Sequence, residues 1–120
     1  MADNRYARQT VLPEVGAQGQ EKLAAARVVI VGCGGLGSPA AAYLAGAGVG
    51  FMRLIDGDRP DTTNLHRQVF YDATSGESKV EQLRLHIERL NPDVRVNTVD
   101  RYLTAGTVRV LLQGAHLVLD

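Results

Sequence analysis

Four consecutive β-branched residues, Val28, Val29, Ile30 and Val31, run straight into Gly32, and no other stretch of this chain restricts its fold as much. An unbroken apolar run of that length is the pattern of a strand buried on both faces, as in a parallel sheet. Gly32, Gly34 and Gly37 then satisfy G-x-G-x-x-G, Gly35 is an additional glycine, and Ser38 and Pro39 follow as the expected N-cap and first helical residue. Strand, glycine turn and helix therefore succeed one another without a gap. That order points backbone N–H groups and the positive end of a helix at a phosphate, with no side chain where the phosphate must come close. The glycines are read as a phosphate or dinucleotide cradle, with a purely structural turn as the alternative.

Downstream, residues 39–47 are dominated by alanine with Tyr43 and Leu44, and Gly48 stops the helix. FMRLI at 51–55 reads as a second strand ending at Asp56. Two strands joined by a helix make a right-handed parallel unit, which sets Asp56 at a carboxyl strand end beside the glycine loop. Asp56 lies twenty-four positions after Gly32, near the spacing at which an acid holds a ribose hydroxyl. Asp56, Gly57 and Asp58 also make a good turn, so a turn aspartate is the competing reading.

Residues 59–76, RPDTTNLHRQVFYDATSG, show no clear periodicity and are too long for an ordinary connection, so a functional loop with short helical pieces is expected. Asn64, Arg67 and Gln68 fall close enough to share one side of a turn. Lys79 then opens a helix in which Val80, Leu83, Ile87 and Leu90 form the apolar stripe, Glu81, Arg84 and Glu88 face out, and Asn91 and Pro92 end it. A cation at a helix N-terminus gains nothing from the dipole unless an anion binds there. Arg67 and Lys79 are thus either an anion-binding pair or ordinary surface charge.

Residues 94–99 read as a third strand, 104–113 as a helix closed by Gly114, and Leu117, Val118 and Leu119 as a fourth strand ending at Asp120. The order predicts an α/β fold, a Rossmann-like, doubly wound, mostly parallel sheet in which the fourth strand lies beside the first at the ligand crevice. One domain is expected, with an arm and helix at 1–26 and the sheet core at 27–120. A chain stopping at the last strand residue is expected to be part of a larger domain, truncated after the fourth strand.

Composition excludes more than it selects. Thirteen basic against thirteen acidic residues leave no global attraction to nucleic acid or to an anionic membrane. The single cysteine, Cys33, excludes an internal disulfide or multi-cysteine zinc cluster and suits a reducing compartment. The charged start, MADNRYARQ, is no secretory signal and no apolar run reaches membrane-spanning length, so a cytoplasmic location is expected. His66, His86 and His116 lack metal-ligand spacing, and Cys33 reads as a packed residue rather than a reactive thiol. Arg5 and Arg8 sit on an arm expected to be mobile or docked on a partner.

Together, RYARQ, GCGGLGS, DGD, NLHRQ, DATSGESKVE and LNPDV resemble the adenylating enzymes that activate ubiquitin-like proteins, above all the bacterial branch serving sulfur carriers for molybdopterin or thiamin synthesis. The resemblance runs along nearly the whole chain, and NLHRQ with SKVE is more specific than the glycine loop. It implies that Gly32, Gly34, Gly35 and Gly37 line the phosphates of ATP and that Asp56 holds the ribose. Asn64, Arg67, Gln68 and Lys79 would contact the triphosphate, and Arg8 would reach the site of the opposite subunit in a homodimer. Attack of a carrier's C-terminal glycine carboxylate on the α-phosphorus gathers negative charge that Arg67, Lys79, Arg8 and Mg2+ would stabilise. No metal ligand is assigned within these residues; the family's magnesium-binding acid and zinc-binding CxxC pairs would follow Asp120. The resemblance thus implies an adenylyltransferase module with little turnover in these 120 residues alone. Three alternatives stand: an NAD-binding oxidoreductase domain, a relative acting on a carboxylate linked to transfer RNA, and a non-catalytic dimerising piece.

Overall fold

A computed structural model describes residues 4–59 and 77–120. After a single 3-10 turn at Asn4–Tyr6 come α1 (Ala7–Thr10), α2 (Gly16–Ala25), β1 (Arg27–Val31), α3 (Gly37–Ala47) and β2 (Phe51–Ile55). Then follow α4 (Lys79–Leu90), β3 (Arg95–Val99), α5 (Val108–Leu112) and β4 (Leu117–Leu119). The four strands form one sheet of order β3-β2-β1-β4, parallel throughout, as the doubly wound reading requires.

The β-branched run explains why β1 is central. It pairs with β2 on one side, Ile30 opposite Leu54, and with β4 on the other, Ile30 opposite Leu119. Val28, Val29 and Ile30 are all buried. Val28, Ile30, Met52 and Leu54 point to the face covered by α3 and α4, where Ala41, Ala45, Val80, Leu83 and Ile87 complete the core. Alanines spaced by four let α3 approach the sheet closely. Full burial of Leu83 and Ile87 stabilises the fold by about 1.5–3 kcal/mol each. Arg53 alternates with Met52 and Leu54, faces the other way, and donates from Nη1 to the Leu111 carbonyl at 2.8 Å, which places α5 on the opposite face.

Four expectations are corrected. Leu90 leaves the apolar stripe, 41% exposed at the last turn of α4. Glu81 and Arg84 do not simply face solvent: Arg84 Nη2 donates to Glu81 at 2.8 Å, Nη1 donates to Glu88 at 2.8 Å, and Thr98 of β3 donates to Glu81 at 2.8 Å. That network ties α4 to the edge strand and holds the Glu81 carboxyl below its usual range, chiefly through Arg84. The helix expected over 104–113 shortens to α5, because Thr107 Oγ1 accepts the Thr104 N–H at 3.1 Å and holds a turn there. The arm is docked on its own chain: Tyr6 Oη accepts from Asn91 Nδ2 at 2.7 Å and donates to Asp93 at 3.2 Å, while Arg5 Nη1 donates to the Leu90 carbonyl at 3.1 Å. RYARQ and LNPD, far apart in sequence, are one joint in space.

Candidate functional site

Val31 and Ile55 end β1 and β2 side by side, so whatever follows the two strands must meet. After β1 the chain turns at Gly32 with φ at 86°, a left-handed conformation that favours glycine, and its N–H donates to the Ile55 carbonyl at 2.8 Å. The turn then winds directly into α3. A Cβ on Gly37 would stand 1.9 Å from the Gly32 carbonyl oxygen, whereas one on Gly34 would meet nothing within 4 Å. Gly37 is required by packing; Gly34 leaves an open face.

Ser38 is not the N-cap. Its N–H and its hydroxyl both donate to the Gly34 carbonyl, at 3.1 and 2.8 Å, because the glycine turn is already helical by that point. The cap is Leu36, which offers no side-chain acceptor to the first turn of α3. The first turn of α3 thus has no side-chain acceptor for its backbone N–H groups, an arrangement suited to an anion.

Asp56 is the turn aspartate of the competing reading, and it does more than close the turn. Its Oδ1 accepts the Asp58 N–H at 2.9 Å, closing the turn, and its Oδ2 accepts the Cys33 N–H at 2.8 Å, clamping the glycine loop to the end of β2. It is buried, yet it lines a cleft of about 490 Å³ with Gly32, Gly34, Asp58, Lys79, Tyr102 and Asp120 among the described residues. That size fits a small-molecule site.

Lys79 enters the same cleft as the first residue of α4, only 4% exposed. Its N–H donates to the Asp58 carbonyl at 3.2 Å, and its Nζ stands 3.6 Å from Asp58 Oδ2. Ser78 caps the helix by accepting the Glu81 N–H at 3.3 Å. Gly32, Gly34, Asp56 and Lys79 are therefore brought together, and Gly37 builds the turn beneath them; Gly35 is exposed on its outer side. Arg8 is elsewhere. It is exposed on α1, whose Gln9 donates to the Ala47 carbonyl at 3.0 Å, at the end of α3 remote from the loop. Eleven helical residues separate the two ends by about 16 Å. Asn64, Arg67 and Gln68, with His66, lie outside the described residues.

Asp58 and Tyr102 are site residues that sequence reasoning missed. Asp58 was visible only as a turn residue, and Tyr102 follows β3 with no local signal. Ser78-x-x-Glu81 carries the signature of a capped helix start and agrees with Lys79 as the first residue of α4, although only the Ser78 half forms, because Arg84 and Thr98 take the Glu81 carboxylate. Among the described residues no group of three or more His, Cys, Asp or Glu side chains could hold a metal ion, and no helix is long and apolar enough to cross a membrane.

Cys33 packs under the loop with no exposed surface, and burial, helped by the Asp56 charge and partly offset by Lys79, pushes its thiol from 9.0 up to about 12. The folded chain thus keeps a proton that the unfolded chain releases between those values. Stability is full below the unfolded value and declines as pH rises toward 12. Urea unfolding at pH 8 and about pH 10.5 should show Cys33→Ala losing about 2 kcal/mol less than wild type over that interval. Equal losses would mean the thiol does not titrate in this way.

The ThiF family profile matches residues 6–120. The adenylyltransferase and sulfurtransferase uba4 of Pyricularia oryzae is 49% identical over 117 residues, 97% of this chain and 24% of its own. The mouse (Mus musculus) adenylyltransferase and sulfurtransferase MOCS3 is 47% identical over 97% of this chain and 25% of its own. The chain thus spans about a quarter of the length of these curated relatives. Among solved structures, the E. coli tRNA N6-threonylcarbamoyladenosine dehydratase TcdA in complex with ATP superposes with a TM-score of 0.86 at 33% identity, covering 96% of this chain and 47% of that one. E. coli MccB with ATP gives 0.83 at 32% identity, covering 98% and 37%.

Proposed function

The chain belongs to the ThiF family, and on that footing we propose that it is the ATP-binding part of an adenylyltransferase that activates the C-terminal glycine carboxylate of a ubiquitin-like sulfur carrier. The observation that carries this reading is the single cleft at which an open glycine face, a buried Asp56 and a buried Lys79 converge. Those residues fit a nucleoside triphosphate: Gly32, Gly34 and the start of α3 offer backbone donors to phosphate, Asp56 retains acceptor capacity for a ribose hydroxyl, and Lys79 supplies positive charge. In this reading Asn64, Arg67 and Gln68 complete the phosphate contacts, and Mg2+ offsets charge on departing pyrophosphate. Hydride transfer calls for no buried cation beside the phosphates.

Arg8 acts in a homodimer in this proposal. Its place at the remote end of α3 supports delivery to another copy's cleft. The higher identity to the adenylyltransferase and sulfurtransferase relatives than to the transfer RNA dehydratase favours a protein carboxylate over a carboxylate on transfer RNA. The proposed site of action is cytoplasmic, with neither nucleic acid nor membrane as partner. These 120 residues alone are proposed to bind ATP with little turnover.

Titration calorimetry of the chain with ATP and with NAD, followed by exchange of labelled pyrophosphate into ATP with a sulfur carrier present, tests this. Binding of ATP, none of NAD and negligible exchange are expected. Tight NAD binding without ATP binding would replace the proposal with a redox domain, and brisk exchange would remove the claim of low turnover.

A further inference from the structure

Asp58 joins three elements at the mouth of the cleft. Its N–H is held by Asp56, and its carbonyl receives the N–H of Lys79 at the start of α4. Its carboxylate is divided: Oδ2 stands 3.6 Å from the Lys79 ammonium, and Oδ1 accepts the Tyr102 hydroxyl. Tyr102 lies over Gly57, where a Cβ would come within 2.8 Å of its ring carbons, so the backbone itself seats the ring against Asp58. The carboxylate keeps the Tyr102 hydroxyl protonated by pushing its pKa above the ordinary 10.0.

This arrangement is unusual for an anion site. Asp56, Asp58 and Asp120 line the cleft with Lys79, so three carboxylates share the space in which a triphosphate is proposed to sit. Asp56 is committed to the loop and to the turn, but Asp58 is half exposed and aims one oxygen at the ammonium that a phosphate would use. A separation of 3.6 Å is long for an ion pair with a hydrogen bond. The pair is loose enough to exchange.

Resting on the ATP-binding reading above, we propose that Asp58 is a built-in competitor for the Lys79 ammonium, with Tyr102 holding it back, so that the two residues together set how tightly the cleft grips a phosphate chain. The carboxylate occupies the ammonium when no nucleotide is bound and repels phosphate when one arrives, which weakens binding and eases release. The Tyr102 hydroxyl takes charge density from Oδ1 and keeps the carboxylate from turning fully onto Lys79.

The two side chains therefore act with opposite sign, which loss of local structure would not produce. Calorimetry in magnesium buffer with ATP and with adenosine, on wild type, Asp58→Asn and Tyr102→Phe, reads the difference. Asp58→Asn should tighten ATP by about tenfold, since a unit negative charge is removed from beside the Lys79 ammonium in a cleft proposed to hold phosphates. Tyr102→Phe should weaken ATP by about threefold, with adenosine unchanged for both. Weaker ATP binding by Asp58→Asn, shifts of the same sign in both variants, or equal shifts for adenosine would each overturn the competitor role. A wild type that binds adenosine and ATP equally, or neither, would instead overturn the reading on which it rests.

Discussion

Gly37→Ala is expected to destabilise the chain by about 3 kcal/mol or more, a fall in Tm of about 10 °C, and to abolish nucleotide binding with it. The cause is local and rigid. The new methyl would lie 1.9 Å from the Gly32 carbonyl oxygen and 3.0 Å from its carbon, both backbone atoms of the turn that closes β1. Neither atom can swing aside as a side chain would, so α3 must back away from the sheet, drawing Ala41 and Ala45 out of the core. Gly34→Ala is the control. Its methyl meets nothing within 4 Å and its backbone is not left-handed, so folding should be nearly unaffected. ATP affinity should still fall by at least tenfold, because the methyl fills the face a phosphate approaches. Thermal melts with ATP titrations separate the two. A Gly37→Ala chain that melts with wild type would show the turn to be adaptable, and a Gly34→Ala chain that binds ATP normally would move the phosphates elsewhere.

The part of the fold that was legible in sequence is the part encoded by local pattern. Four β-branched residues fixed β1 as a doubly buried strand, and chirality then left one place for β2 and for β4. Asp56 and Lys79 were legible as neighbours in one cleft because each stands at an element boundary that the sequence marks, a strand end and a helix start. Ser38 misled because a serine before a proline is the usual cap, and only the close approach of Gly37 to Gly32 shows that the helix has already begun. Tyr102 was not legible: its partners, Gly57 and Asp58, are more than forty residues away, and no period links them. The joint of Tyr6 with Asn91 was hidden for the same reason, since a buried amide is recognisable only once the fold brings its partners, Tyr6 of the N-terminal turn and the Ala45 carbonyl of α3, to it.

Lys79→Met carries the largest expected effect on chemistry. Buried at the first position of α4, the ammonium sits at the positive end of a helix dipole and almost out of contact with water, two conditions that disfavour a cation. Methionine keeps much of the stem volume but leaves the Asp58 carboxylate without its ion-pair partner, so stability should fall, and ATP binding is therefore read well below the melting temperature of the variant. ATP affinity should weaken by about tenfold, the loss of one charged contact to phosphate. Adenylate formation should fall further, by about 10²–10³-fold, because negative charge on the transferred and departing phosphates grows in the transition state and the ammonium is already in place to meet it. Arg67→Ala should follow the same division if it shares the proposed role. The measurement is carrier-dependent exchange of labelled pyrophosphate in a chain extended to the length of its relatives, set beside ATP binding by the same variant. Exchange that declines only as far as binding does would make Lys79 a nucleotide anchor, and unchanged exchange would remove it from the mechanism. The Asp58 contact enters here as well: if Asp58 competes for the ammonium, Asp58→Asn and Lys79→Met should not be additive in ATP affinity, since without the ammonium only the repulsion between Asp58 and phosphate remains to be relieved.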